Sequence, residues 1–357
     1  MRVAADPVFD RKREQDMSSP PKVSVIIPCR NEVRHIEACI RSAFAFKAPE
    51  GGFEVIVVDG MSNDGTRDIL SQLQRDEYPE LRVIDNPGKT VPQAMNLGIR
   101  QASGEYVVRI DSRCFHPREY LLDLLDLSGQ TGADSVGGVL YPLPGRSFMG
   151  ECIALAYWSR ISMGGGLRAR QDFVGEAETA YGGCFKKARL IEVGLYDEQM
   201  VRNQDDELSF RLRKRGGRIF QSSRIQIVYY PRRFLTQVFR QFMQYGYWKV
   251  AVIRRHPRQA SVRHFMPVGL VGTIGLGSIL SLLHPLFLVG WMALTGSYLT
   301  LCGVESFRIT PKGKPLHFFG IWTVIMAIHF GFGLGFLLNS VSLPWGGKFK
   351  WFETLTR

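Results

Sequence analysis

From Tyr229 to His264 the chain carries eight lysines and arginines and no aspartate or glutamate. Such a stretch offers nothing to a cationic ligand and suits an anionic partner, either nucleic acid or an acidic lipid surface. Charge then vanishes altogether, from His264 to Val304 and again from Pro315 to Gly347. A basic segment running straight into uncharged ones favours lipid, and nucleic acid is not an expected partner. The six cysteines (Cys29, Cys39, Cys114, Cys152, Cys184 and Cys302) show neither Cys-x-x-Cys spacing nor a matching histidine pattern. That argues against a zinc site or a disulfide framework and for reduced thiols. Residues 1–22 lack an apolar core, so they read as a polar tail rather than a secretory signal. There is no internal repeat, no low-complexity segment and no Gly-rich phosphate loop after the first apolar run.

The uncharged blocks set the second half of the chain. His264–Val304 is about twice the ~20 residues that cross a bilayer, and His284-Pro285 divides it near its middle. Phe318–Leu338 is a third candidate span, and its Gly331-Phe-Gly-Leu-Gly-Phe run suits close helix packing. Three membrane helices are therefore expected over 264–342, preceded by basic interfacial helices over 236–263 and followed by a tail over 343–357. Arg254, Arg255, Arg258 and Arg263 precede the first span, and Arg308, Lys312 and Lys314 lie between the second and third. The positive-inside tendency puts both groups in the cytoplasm. An interfacial, non-crossing arrangement is the alternative.

The first part, 23–235, alternates short β-branched runs with helical patterns. Strands are expected at Val23–Ile27, ended by Pro28, and at Glu54–Val58, Leu81–Ile84 and Tyr106–Ile110. Helices are expected at Arg34–Phe46, Thr66–Arg75 and Pro92–Ala102. This order predicts an α/β domain with a mostly parallel sheet and helices on both faces, its ligands at the carboxyl ends of the strands.

Polar residues gather at those ends. Pro28-Cys29-Arg30-Asn31-Glu32 follows the first strand, and Asn31 and Glu32 can meet a ribose or base. Asp59 closes the second strand, where a carboxylate can accept from the N3–H of uracil. Ser62 or Asp64 can cap the next helix. Lys89 stands at a loop tip with a diphosphate role open, and Asn96 and Gly98 let backbone approach a nucleotide. Arg109-Ile-Asp111-Ser-Arg113 ends the fourth strand. Asp111 there can bind Mg2+ or Mn2+, and the Arg113 guanidinium can hold phosphate directly. Asp205, Asp206 and Glu207 open a later helix, and clustered carboxylates raise one another's pKa toward the range of a working base.

Together the segments Val-Ile-Ile-Pro-Cys-Arg-Asn-Glu, Val-Val-Asp-Gly-Met-Ser-Asn-Asp-Gly-Thr, Ala-Met-Asn-Leu-Gly, Asp-Ser-Arg-Cys-Phe-His-Pro, Tyr-Gly-Gly-Cys-Phe-Lys-Lys and Gln-Asp-Asp-Glu-Leu-Ser-Phe-Arg resemble family 2 glycosyltransferases with the GT-A fold. The likeness spans roughly residues 22–235. The basic segment and the membrane helices are most similar to the succinoglycan-biosynthesis type, which extends lipid-linked sugars. The resemblance implies a UDP-sugar donor, bound by Pro28, Arg30, Glu32, Asp59, Ser62, Lys89, Asn96, Arg109, Asp111 and Arg113. It implies Asp111 as the metal residue, with Arg113 where the family has a second acid, and Asp205 as the catalytic base. The acceptor, a polyprenyl-diphosphate-linked sugar, would meet Glu176, Gly183, Asp206, Arg233, Arg240 and Arg254. The expected setting is the plasma (inner) membrane with a cytoplasmic catalytic domain.

The expected reaction is an inverting single displacement that adds one sugar, since the Gln-x-x-Arg-Trp motif of processive synthases is missing. A processive synthase, a nucleotidyltransferase and a non-catalytic nucleotide-sugar-binding scaffold are the alternatives. Composition says nothing of oligomeric state, donor sugar or linkage.

Overall fold

A computed structural model describes residues 21–162 and 173–342. All but the last two residues of the expected N-terminal tail, and the whole C-terminal tail, lie outside them. The chain forms two compact units. The first holds residues up to Leu140, 173–199 and Gln204–Val228; the second holds 141–162, Met200–Asn203 and Tyr229 onward.

The first unit starts with β1 (Val23–Cys29), α1 (Ile36–Phe44), β2 (Phe53–Asp59), α2 (Thr66–Asp76), β3 (Arg82–Asp85), α3 (Val91–Gln101) and β4 (Tyr106–Arg109). It continues with β5 (Cys114–Phe115), α4 (Tyr120–Thr131), β6 (Ser135–Pro142) and, after α5 (Phe148–Ala156) in the second unit, β7 (Val174–Glu176) and β8 (Tyr181–Lys186). Then come α6 (Lys187–Glu192), α7 (Gln204–Lys214) and β9 (Ile219–Tyr229). The strands form one nine-stranded sheet in the order β3-β2-β1-β4-β8-β6-β9-β5, with β7 paired to β9.

The pairs β3–β2, β2–β1 and β1–β4 are parallel. The pairs β4–β8, β8–β6 and β9–β7 are antiparallel. The sheet is thus mixed, with its parallel half where strand and helix alternate in sequence. β1 and β2 are apolar runs buried on both faces, as parallel strands covered by helices must be. Pro28 does not end β1, which runs one residue further. Ile26 O accepts from Ile110 N and Cys29 O from Gly60 N, so even positions of β1 face β4 and odd ones β2. The ladder to β4 stops at Arg109, and the missing N–H of Pro28 therefore leaves no bond unmade.

α3 lies against β1 and β2, burying Ala94, Met95 and Ile99 beside Ile26 and Ile56. Gly98 permits this approach: a Cβ there would stand 2.7 Å from the Ile26 side chain. Its role is packing, a correction to the nucleotide-facing role expected from sequence.

The second unit holds α5, α8 (Leu235–Arg255), α9 (Val262–Leu280), α10 (Pro285–Ile309) and α11 (His317–Ser342). Three helices thus occupy the range expected to hold three spans. Two of them, Pro285–Ile309 and His317–Val341, are long and apolar enough to cross a membrane. α9 is 19 residues long, carries Arg263 in its first turn and contains Pro267 and four glycines, which lowers its apolar content. α10 presents apolar side chains outward, Leu286 being 74 % exposed and Phe307 77 %, the pattern of a lipid-facing helix.

α8 and α11 approach at glycines. A Cβ on Gly246 would strike the Phe332 carbonyl oxygen, and one on Gly335 the Met243 carbonyl oxygen. Asn339 Nδ2 donates to Tyr247 O at 2.9 Å across the same pair. Small residues that let backbones touch are a means of helix association where no water drives it. Gly335→Val should therefore separate the helices and cost about 2 kcal/mol or more. Thermal unfolding in detergent should show a lowered midpoint, and an unchanged midpoint would refute the close contact.

Candidate active site

The parallel strands bring their carboxyl ends to one edge in register, with Cys29 opposite Asp59 and Asp59 opposite Asp85. Asp111 follows β4 in a tight turn closed by Cys114 N donating to Asp111 O at 2.9 Å. Asp205 arrives from far along the chain on the first turn of α7. Carboxylates suit that position, because the free N–H groups of a helix start favour negative charge.

Arg109 joins the two acids. Its Nη1 donates to Asp205 Oδ1 at 2.6 Å, while Nε and Nη2 reach Asp111 Oδ1 at 3.0 and 2.9 Å. The Arg109 side chain is 14 % exposed, Asp111 32 % and Asp205 43 %, so the cluster is recessed but open to solute. Tyr181 donates its hydroxyl to the other Asp111 oxygen at 2.9 Å.

The two carboxyls move in opposite directions. Burial alone would raise Asp111, but the Arg109 charge and the Tyr181 and Arg109 hydrogen bonds hold it below its usual value. Asp205 is raised, by burial first and then by the Asp111 and Asp206 charges, against the pull of Arg109. One acid stays ionised while the other gains affinity for a proton, which divides an anionic anchor from a base. His116, close by, is pushed down to about 3 by burial and stays neutral.

The acidic trio separates in the same way. Glu207 turns inward and is held at both oxygens by Arg211, at 2.7 Å each. Arg211 also donates to the Val193 and Leu195 carbonyls, so Glu207 anchors α7. Asp206 is half-buried beside Asp205.

Around the first and second strand ends the loops are knitted together. Asn31 and Asn63 exchange hydrogen bonds, Asn31 N donates to Ser62 Oγ at 2.7 Å, and Glu32 N donates to Thr66 Oγ1 at 2.9 Å. Asp64 accepts from Thr66 N and Oγ1, whereas Ser62 leaves the helix alone and donates to Asp59 through both N (3.0 Å) and Oγ (2.5 Å). Asp59 is fully buried, and Arg67 Nη1 also meets it at 3.1 Å. The carboxylate expected to meet a base is thus fully engaged by its own loop.

Other expected residues divide likewise. Arg113 Nε meets both Glu32 oxygens at 3.0 and 3.2 Å, leaving its terminal nitrogens unbonded. Arg30 lies over Gly60, and its Nε is buried without a partner. Lys89 is exposed in a left-handed conformation, φ 63°. Asn96 is a correction. It is buried, its Nδ2 donates to Tyr196 O and Glu198 Oε1, and its Oδ1 accepts from Tyr196 N, so it clamps α3 to that loop and has no group left for a nucleotide.

Glu176 ends β7 opposite Phe220 of β9 and pairs with Arg218, which stands just before β9. Gly183 packs in β8 against the Phe185 ring. Arg233, Arg240 and Arg254 are exposed in the second unit. Sequence reasoning missed Tyr181, although its Tyr-Gly-Gly segment stood out, and also missed Arg67, three residues beyond Asp64.

Among the described residues no group of three or more histidine, cysteine, aspartate or glutamate side chains could hold a metal ion. Asp111, an ionised carboxylate beside open space, still fits a hard cation that takes most of its oxygens from phosphate and water.

Residues 24–149 match the model of glycosyl transferase family 2. The succinoglycan biosynthesis protein ExoA of Rhizobium meliloti is 33 % identical over 272 residues, covering 75 % of this chain and 79 % of that one. The chain belongs to glycosyl transferase family 2. A second relative, from Methanococcus voltae, is 23 % identical over 239 residues, covering 65 % of this chain and 74 % of its own length. It is a dolichyl N-acetyl-alpha-D-glucosaminyl phosphate 3-beta-D-2,3-diacetamido-2,3-dideoxy-beta-D-glucuronosyltransferase. A mannosyltransferase from Pyrobaculum calidifontis, solved with GDP-Man and Mn2+, shares the fold with a TM-score of 0.57 at 18 % identity, over 96 % of this chain and 95 % of that one. The fold is GT-A, and this family 2 enzyme is a glycosyltransferase of polysaccharide or glycan biosynthesis.

Removing the Arg109 charge should leave Asp111 and Asp205 uncompensated. Both would then hold protons to higher pH in the folded state than in the unfolded one. Folding is penalised where those groups must ionise, so Arg109→Gln should lose more stability near neutrality than at about pH 4. The expected loss near pH 7 is about 2 kcal/mol, below that of a fully buried pair because Asp205 is 43 % exposed. Unfolding midpoints at the two pH values check this, and an equal loss at both would contradict the shared-charge geometry.

Proposed function

We propose that this family 2 enzyme moves one sugar from a UDP-sugar to a sugar carried on a polyprenyl diphosphate, by single displacement with inversion, at the cytoplasmic face of the plasma membrane. The observation that carries the reading is the Arg109-bridged pair of Asp111 and Asp205, whose proton affinities are pushed apart.

Asp205 takes the proton from an acceptor hydroxyl as that oxygen attacks the anomeric carbon and the bond to the nucleotide diphosphate breaks. Its raised affinity suits a base that must accept a proton and still be ionised near neutrality. Arg109 fixes the carboxylate before substrate arrives, so less reorganisation is needed during transfer. Mg2+ or Mn2+ held at Asp111 together with donor phosphate oxygens would stabilise charge on the departing nucleotide. Tyr181 orients Asp111 for that task. Arg113, anchored by Glu32, has two terminal nitrogens for the diphosphate, and Lys89 and Arg30 add positive charge to the same strand-end region. Pro28 and Ser62 shape the loops, Ser62 by holding Asp59. Asp206 borders the base, and Glu176 and Gly183 are assigned to the acceptor side from their place in the chain.

For the second unit, the reading rests on two helices apolar enough to cross a bilayer and on the absence of acid from Tyr229 to His264. Arg233, Arg240 and Arg254 are exposed cations suited to a lipid diphosphate. With α9 as a third span, the basic residues before α9 and between α10 and α11 fall on one side, which the positive-inside tendency makes cytoplasmic.

Asp205→Asn should still bind UDP but lose about a hundred- to ten-thousand-fold in turnover. Retained turnover would remove Asp205 as the base. Chelation should abolish transfer, and Mg2+ or Mn2+ should restore it; full activity after chelation would leave the phosphate charge to Arg113. Products longer by one sugar are expected, and long polymer would favour a processive synthase.

A further inference from the structure

We propose that Tyr196 is a positioning residue for the base, its buried hydroxyl a hydrogen-bond donor that Asp205 takes up when substrate draws on Arg109. This rests on the reading above that Asp205 is the base of a sugar transfer.

Tyr196 follows the turn after α6 and is 2 % exposed. Its backbone is clamped from α3. Asn96 Oδ1 accepts from Tyr196 N at 2.9 Å, and Asn96 Nδ2 donates to Tyr196 O at 2.9 Å. The same Nδ2 reaches Glu198 Oε1, two residues on, at 2.8 Å. The Tyr196 ring belongs to the core cluster that holds Leu208 and Leu212 of α7. Leu208 stands one turn beyond Asp205, on the same side of that helix. Asn96 therefore fixes the tyrosine beside the helix start that carries the base.

One atom of this arrangement has no use in the fold. The Tyr196 hydroxyl is buried and meets no hydrogen-bond partner. An unmatched phenol in a packed interior is destabilising, and phenylalanine would fill the same space without it. Burial, and then the Asp205 charge, raise its ionisation above that of a free phenol against the pull of Arg109, so it stays protonated as a donor. Its counterpart Tyr181 already donates to Asp111 at 2.9 Å. The two acids that share Arg109 thus have one tyrosine each, one engaged and one in reserve.

The reaction gives the reserve its purpose. Arg109 Nη1 holds Asp205 Oδ1 at 2.6 Å, while its other nitrogens hold Asp111. A donor diphosphate brings further negative charge to the same recess, and Arg109 is then shared among more anions. Its hold on Asp205 weakens as that carboxylate must receive the acceptor proton, while the new bond to the anomeric carbon forms and the nucleotide diphosphate leaves. A phenol O–H rotates to suit its acceptor, and the Asp205 side chain, 43 % exposed, is free to turn toward it. The bond keeps the carboxylate aimed and ionised and adds no charge of its own.

The test is Tyr196→Phe, which removes the hydroxyl and keeps the ring. The full-length protein in detergent with Mg2+ is given UDP-glucose, UDP-galactose or UDP-N-acetylglucosamine with water as acceptor, and UDP release is followed. On whichever of these wild type turns over, kcat should fall at least about tenfold, with KM and the calorimetric affinity for UDP changed by less than about twofold. The thermal midpoint should hold or rise, because the lost hydroxyl had no partner. Tyr78→Phe, at a ring stacked on Phe44, should change nothing. An unchanged kcat in Tyr196→Phe would overturn the proposal and leave Asp205 as the base. A loss of kcat that came with a lowered midpoint and weaker UDP binding would overturn it too, since that is the mark of a packing role. If wild type turned over none of the three, or Asp205→Asn released UDP as fast as wild type, the sugar-transfer reading would fall and take this one with it.

Discussion

Arg109 carries one positive charge and meets two carboxylates, and the catalytic unit is arranged so that it can. β4 delivers the guanidinium at the end of a parallel ladder, the turn at 111–114 folds Asp111 back onto it, and α7 brings Asp205 from 96 residues away. Two like charges in a recess repel each other, and burial opposes their ionisation. A shared cation makes the arrangement tolerable and leaves it unequal: Asp111, with Tyr181 as a second donor, stays ionised, while Asp205 is left the more basic.

The same logic recurs at smaller scale. Arg67 is shared between Asp59 and Asp85, and Arg113 sits against Glu32. Each of these strand-end acids is thus held by an arginine, from the strand itself at β4 and from a neighbouring helix or loop at the others. In the catalytic unit these arginines serve as counter-charge to the acids, with N–H groups left over for anionic ligands; the chain's excess of positive charge lies in the second unit, where exposed arginines stand beside uncharged helices.

Much of this was legible in the sequence. The strands β1 to β4 and the helices between them fall within two residues of expectation, because continuous apolar runs and amphipathic stretches report buried strands and surface helices directly. The acids at strand ends were legible for the same reason. The antiparallel half was not, since β6 carries two adjacent glycines and its partner β8 lies about forty residues on, beyond a helix of the second unit. Nor could sequence pair Tyr181 with Asp111 across 70 residues. The engagement of Asp59 by Ser62 was not read from the sequence, where Asp59 was expected to meet a base and Ser62 to cap the next helix. Asn96 gave no sign of its clamp, because its partners lie 100 residues away. The glycines of α11 announced close packing but not its partner, α8.

A double-mutant cycle on unfolding free energy, using Asp111→Asn and Asp205→Asn, addresses the shared charge most directly. Either change alone leaves Arg109 one carboxylate and relieves the repulsion between the acids. The two together leave a buried guanidinium unpaired and relieve that repulsion only once. The double variant should therefore lose more stability than the sum of the single variants. Additive losses would mean that Arg109 does not couple the two acids, and the proposed arrangement of base and metal residue would fail with it.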